Sequence, residues 1–95
     1  MAQRFGSKIR ELREKRGVGL KTAAPEIGVS YSYLSKLENG IVGPSSETIE
    51  AIAAYYVVDA DQLGVMAGRL PPDVLDILQN DPEAALRYLR DRFGS

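Results

Sequence analysis

Apolar residues recur at helical spacing in seven successive segments, and turn signals separate them. Phe5, Ile9 and Leu12 stand at i, i+4 and i+7, the stripe of a first helix. That helix is expected from about Arg4 or Ser7 to Lys15, after a loose Met1–Gln3. Arg13 lies beside Ile9 and Leu12 on the stripe, so its charge is half buried and needs a partner. Gly17, Val18 and Gly19 end the helix and turn the chain. A second helix follows over 20–27, with Ala23, Ala24 and Ile27 as its packing side and Gly19 as its cap. Pro25 falls inside it and removes a backbone donor, which can cost about 3 kcal/mol in a helix interior. A kink or a tightening of the helix is expected there.

The rest of the chain is arranged around residues 28–40, GVSYSYLSKLENG. Gly28 can take the positive φ of a tight turn, and Ser30 can cap the helix that begins after it. A third helix is expected over 31–39, with Gly40 as its left-handed stop. At about 100° per residue, Leu34, Leu37 and Glu38 share one side. Ser32, Ser35, Lys36 and Asn39 share the other, with Tyr33 on the flank. One face docks, and the other offers hydrogen-bonding groups, one cation and no acid. Such a face suits base edges and phosphates, although an ordinary solvated helix face has the same composition.

Ser45 and Glu47 open a fourth helix over 46–56, with Ile49, Ile52, Ala53 and Tyr56 inward. A fifth begins at Asp59, where Asp59 and Gln62 suit a capping box, and Leu63 and Met66 pack before Gly68 ends it. Leu70, Pro71 and Pro72 form a rigid connector. A sixth helix follows over 72–79, with Val74, Leu75, Ile77 and Leu78 apolar. Asn80, Asp81 and Pro82 start a seventh over 82–92, with Leu86, Leu89 and Phe93 at helical spacing.

Composition narrows the chemistry. The chain has 95 residues with neither Cys nor His. The usual zinc sites, thiol nucleophiles and imidazole acid–base catalysis are therefore excluded. No Gly-rich phosphate loop appears, and the acids are scattered, so no enzyme, metal or cofactor is expected. Neither a membrane span nor a signal peptide is visible, and the lack of Cys fits a reducing cytoplasm. The net charge of −1 conceals a division. Residues 1–40 carry eight Lys and Arg against four Glu, whereas residues 41–95 carry four Arg against nine Asp and Glu. A basic half suits phosphate contact, and an acidic half keeps the remainder off a polyanion.

The order Ile9, Leu12, Arg13, Gly17, then Ala24, Ile27, Gly28, Val29, Ser30, resembles the Cro- and phage-repressor-like helix-turn-helix family, often called XRE-type. The match continues through Leu34, Ser35, Leu37, Glu38, Asn39 and Gly40, then Pro44, Ser45, Glu47, Thr48, Ile49, Asp59 and Leu63. It covers about residues 5–68, and its spacings agree across five successive helices. The resemblance implies an all-α fold: a five-helix lambda-repressor-like DNA-binding domain (1–68) with a C-terminal two-helix extension (69–95). It also implies that the third helix enters the major groove. Carried over by position, Tyr31, Ser32, Ser35 and Lys36 are the base-contacting candidates. Lys21, Tyr33 and the amides of Asn39 and Gly40 are the backbone-contacting ones. Tyr31 and Tyr33 are equally suited to packing on the second helix. Arg13 and Glu38 are implied to form a structural ion pair. The chain departs from the family where a Gln often stands, at Leu20, and in the loop after the third helix, where Ile41 and Val42 replace the frequent cations. Those two side chains suit thymine methyls, sugars or another protein. Val57 stands where the family commonly has Gly.

The expected function is that of a sequence-specific double-stranded DNA-binding transcriptional regulator, a repressor acting as a homodimer in the cytoplasm. The alternative is a protein-interaction module, such as an antitoxin or an antagonist-controlled regulator, whose partner (a toxin or protein antagonist) is met by the C-terminal helices. Residues 70–93 carry more apolar surface than a tail needs, and either dimerise or cap the domain.

Overall fold

Seven helices form in the computed structural model, which describes residues 2–94, with side chains from Arg4 onward. They are α1 (Ala2–Arg16), α2 (Leu20–Ile27), α3 (Tyr31–Glu38), α4 (Ser46–Tyr56), α5 (Ala60–Met66), α6 (Pro72–Asn80) and α7 (Pro82–Phe93). The described residues contain no strand. Met1, expected to be loose, lies outside them. Ala2 and Gln3 are already helical, so α1 starts before its apolar stripe does. α2 runs through Pro25 without a break, and Pro25 lies on its exposed side, where water can reach the carbonyl left without a donor.

The core is built from the predicted stripes. Phe5, Ile9, Leu34, Leu37 and Ile52 are its largest fully buried side chains, and Ala23 and Ala24 are wholly covered. Small residues let α2 approach α3 closely. α1 packs on α3, α4 and α5, α2 packs on α3 and α4, and α4 packs on α5. Gly6 allows the closest approach: a Cβ there would stand 2.6 Å from the carbonyl oxygens of both Leu37 and Glu38. α1 is thus pressed against the C-terminal end of α3.

α6 and α7 pack on one another, and among the described residues neither meets α1–α5 over a comparable area. Neither helix has a buried residue. Val74, Leu75, Ile77, Leu86, Tyr88, Leu89 and Phe93 are exposed, as is Leu70 before them.

Candidate nucleic-acid interface

α3 is set by local chemistry at both ends. Gly28 takes φ 99°, which closes the turn after α2, and its amide donates to the Ala24 carbonyl at 2.9 Å. The Ser30 hydroxyl accepts from the Tyr33 amide at 3.0 Å, an N-cap bond. At the other end Gly40 takes φ 72°, and the Ile41 amide donates to the Lys36 carbonyl at 2.9 Å. That bond and the left-handed glycine make a Schellman stop. Leu34, Leu37 and Glu38 are buried. Tyr31, Ser32 and Lys36 are exposed on the opposite side, and Ser35 is half-buried between the two.

Behind that exposed face, four side chains interlock. Glu38 is buried, its side chain only 1% exposed. Arg13 Nε donates to Glu38 Oε2 at 2.8 Å, and Arg13 Nη2 donates to Oε1 at 3.0 Å, a forked pair. The bond to Glu38 raises the Arg13 pKa, against the opposing effect of burial. Arg13 Nη1 also donates to the Val18 carbonyl at 3.1 Å, which ties down the α1–α2 turn. Arg10 joins the same carboxylate, with Nε 3.3 Å from Oε1. Its Nη2 donates to Asn39 Oδ1 at 2.7 Å. Asn39 Nδ2 in turn donates to the Ser35 carbonyl at 2.9 Å. Two arginines of α1 therefore hold the C-terminal end of α3 through one carboxylate and one amide.

Asn39 and Gly40 sit at the end of α3. Their amides donate inside the protein, to the Ser35 carbonyl at 3.0 Å and the Leu37 carbonyl at 3.2 Å. Both amides therefore have a partner at the end of α3. Among the remaining backbone candidates, Lys21 is exposed at the start of α2, and Tyr33 is half-buried against the core. Ile41 is 68% exposed in the following loop, and Val42 is half-buried.

Sequence reasoning passed over Arg10, Gly6 and a second link between helices. Arg16 Nη1 donates to the Tyr55 carbonyl at 2.6 Å, and its guanidinium lies 4.5 Å from the centre of the Tyr55 ring. The Tyr55 hydroxyl donates to Glu26, and this bond raises its pKa. Gly6 did carry a signal, since glycine inside a helical pattern marks close approach or a break. Arg10 carried none, because an arginine on a helix flank reads as solvated.

A helix with an acid-free polar face, backed by buried apolar residues and entered through a three-residue turn, repeats in known proteins. The family model described as helix-turn-helix domain matches residues 4–66. The chain belongs to the helix-turn-helix family of transcriptional regulators. Within it, the pattern is of the XRE type, and phage repressors are among the relatives. The HTH-type transcriptional regulator DdrOP3 of Deinococcus deserti is 38% identical over 92 residues, covering 88% of this chain and 70% of its own length. The cryptic phage CTXphi transcriptional repressor RstR of Vibrio cholerae is 37% identical over 59 residues, covering 62% of this chain and 53% of the repressor. The clp gene regulator ClgR of Corynebacterium glutamicum has a similar structure, with a TM-score of 0.62 at 26% identity. That likeness covers 99% of this chain and 95% of ClgR, so it extends over α6 and α7. The chain spans about half, 48%, of the length of an uncharacterised regulator from Mycobacterium tuberculosis that it matches at 42% identity.

Among the described residues no group of acids is arranged to hold a metal ion, and no helix is long and apolar enough to cross a membrane.

Proposed function

We propose that this helix-turn-helix chain binds double-stranded DNA as a homodimeric transcriptional repressor, with α3 in the major groove. The observation that carries the reading is the exposed face of α3. Tyr31, Ser32 and Lys36 face outward from a helix that a capped turn and a buried ion pair hold rigidly. Lys36 would donate to guanine O6 or N7, and the serines to either kind of edge. Ser35 is half-buried, and its hydroxyl lies 3.4 Å from Asn39 Nδ2. Lys21 and Tyr33 would rest on the phosphate backbone, as would the chain at Asn39 and Gly40. Arg13 and Glu38 would serve as architecture. The acidic second half would face away from the DNA.

The reading divides the chain into a five-helix reading domain (1–68) and a two-helix extension (69–95). α6 and α7 expose a row of large apolar side chains, and a second copy is the occupant that fits. α6 carries Asp73 and Asp76 with no cation, whereas α7 carries Arg87, Arg90 and Arg92 against Glu83 and Asp91. Two hairpins meeting about a two-fold axis can set each α6 against the other's α7. The same exposed row supports the second reading, capture of a protein antagonist or toxin.

Lys36→Ala and Ser32→Ala test the face directly. Each is expected to weaken binding to the preferred site while leaving helical content and melting unchanged, Lys36→Ala by about 1–3 kcal/mol. Two variants that bind as tightly as the parent contradict the role of α3.

A further inference from the structure

We propose that Arg69 fixes the angle at which the α6–α7 hairpin leaves the body of the protein, and thereby selects the half-site spacing that a dimer accepts. The inference rests on the reading of α6 and α7 as the dimer contact. Three features make a joint at this point. Gly68 takes φ 80°, a left-handed turn that lets the chain reverse after α5. Arg69 follows, and its amide donates to the Gly64 carbonyl at 2.9 Å. Pro71, with φ −57°, and Pro72 then give a stiff exit into α6.

Arg69 is the peg in this joint. Its Nε donates to the carbonyl of Pro44 at 3.0 Å. Pro44 is buried, and it belongs to the loop that joins α3 to α4. One side chain therefore ties the root of the hairpin to the segment that follows the recognition helix. Arg69 is the only cation between Lys36 and Arg87, so no other cation in that stretch can take over the bond.

Packing does not supply the same restraint. α6 and α7 pack mainly on each other. An open cleft of about 380 Å³ lies at the root of the hairpin, lined by Ile49, Glu50, Asp61 and Pro71 among others. With a gap beside the linker, its direction depends on the Arg69 bond and on the two prolines. In a dimer joined at the hairpins, that direction sets the separation and rotation of the two α3 helices. A rigid joint allows both to enter successive major grooves at one spacing, about 34 Å between half-site centres. A loosened joint allows several.

The test uses the full-length chain, with duplexes that carry an inverted repeat of its selected half-site at spacings changed one base pair at a time. The parent is expected to bind one spacing at least about tenfold more tightly than its neighbours, because avidity requires both half-sites to be engaged together. Arg69→Ala is expected to remain dimeric on sizing and to keep the parent's affinity for a single half-site, while binding several spacings within about threefold of one another. Pro71→Gly loosens the same joint without touching the hydrogen bond and should broaden the preference in the same way. Arg69→Met, which keeps the apolar stem without the donor, decides the matter if Arg69→Ala does not fold. A dimeric variant that keeps the parent's sharp preference overturns the role of Arg69. A parent that is monomeric, or that selects no inverted repeat, overturns the dimer reading, and the inference falls with it.

Discussion

The Tyr56 hydroxyl is buried with no hydrogen-bond partner among the described residues. Burial, ahead of the nearby Glu38 charge, pushes its pKa up from 10.0 to about 12. The folded state thus holds this proton after the unfolded chain has released it. Because burial penalises the anion, stability does not depend on this titration below pH 10 and falls as the pH rises from 10 to about 12. Tyr56→Phe removes both the orphan hydroxyl and its titration. It is expected to raise stability at neutral pH by about 1 kcal/mol, and to lose less stability than the parent between about pH 10 and 12 in denaturant melts. Identical pH slopes contradict the assignment. The Arg13–Glu38 pair acts in the opposite sense. Arg13→Ala leaves a carboxylate that is only 1% exposed with Arg10 as its one remaining arginine. A loss of about 3 kcal/mol is expected, read by chemical denaturation. An unchanged midpoint removes the claim that the pair is structural. At this scale the sequence was partly legible. Arg13 declared its need for a partner by lying on an apolar stripe. Arg10 did not, because a hydrogen bond between distant helices leaves no mark on local spacing.

At the scale of elements, capping chemistry explains why boundaries were readable. Ser30, Ser45 and Asp59 accept from the amides of Tyr33, Thr48 and Gln62, and each cap falls where the sequence puts it. Val57 is the exception. It closes α4 with φ 57° and ψ 53°, a conformation that a β-branched residue rarely adopts. It is 83% exposed, so little packing compensates. The end of α4 was hard to read from sequence because a valine gives no stop signal. The strain makes a prediction: Val57→Gly should raise stability by about 1 kcal/mol, seen as a higher melting temperature. A lower one would mean that the valine contributes contacts absent from this geometry. Gly6 gives the reverse case. Gly6→Ala would set a methyl 2.6 Å from two carbonyls of α3. It should destabilise by about 1–3 kcal/mol and disturb DNA binding more than a surface change does, since α1 must move away from the end of α3.

At the scale of the whole molecule, two features stand out: the charge is divided between the two halves, and the α6–α7 hairpin has no buried residue. The reading half carries few cations beyond α1, and its loop after α3 offers Ile41 and Val42 instead. Few phosphate contacts mean few released counterions, so affinity should fall only gently with salt. The hairpin surface leads to a separate expectation. Leu89→Glu, on an exposed row of α7, should leave helical content intact while shifting the protein to monomer on sizing and removing preference for paired half-sites. The seven helices were legible because each has a clear stripe and most have clear ends. The arrangement of α6 and α7 on the body was not, because an amphipathic helix reads the same whether its partner is its own chain or another. The central claim is that α3 reads base sequence on duplex DNA, and the most direct test is selection from a random duplex library at low salt. Enrichment of an inverted repeat, with half-sites about one helical turn apart, is the predicted result. No enrichment of any sequence would contradict the claim and direct attention to a protein partner for the hairpin.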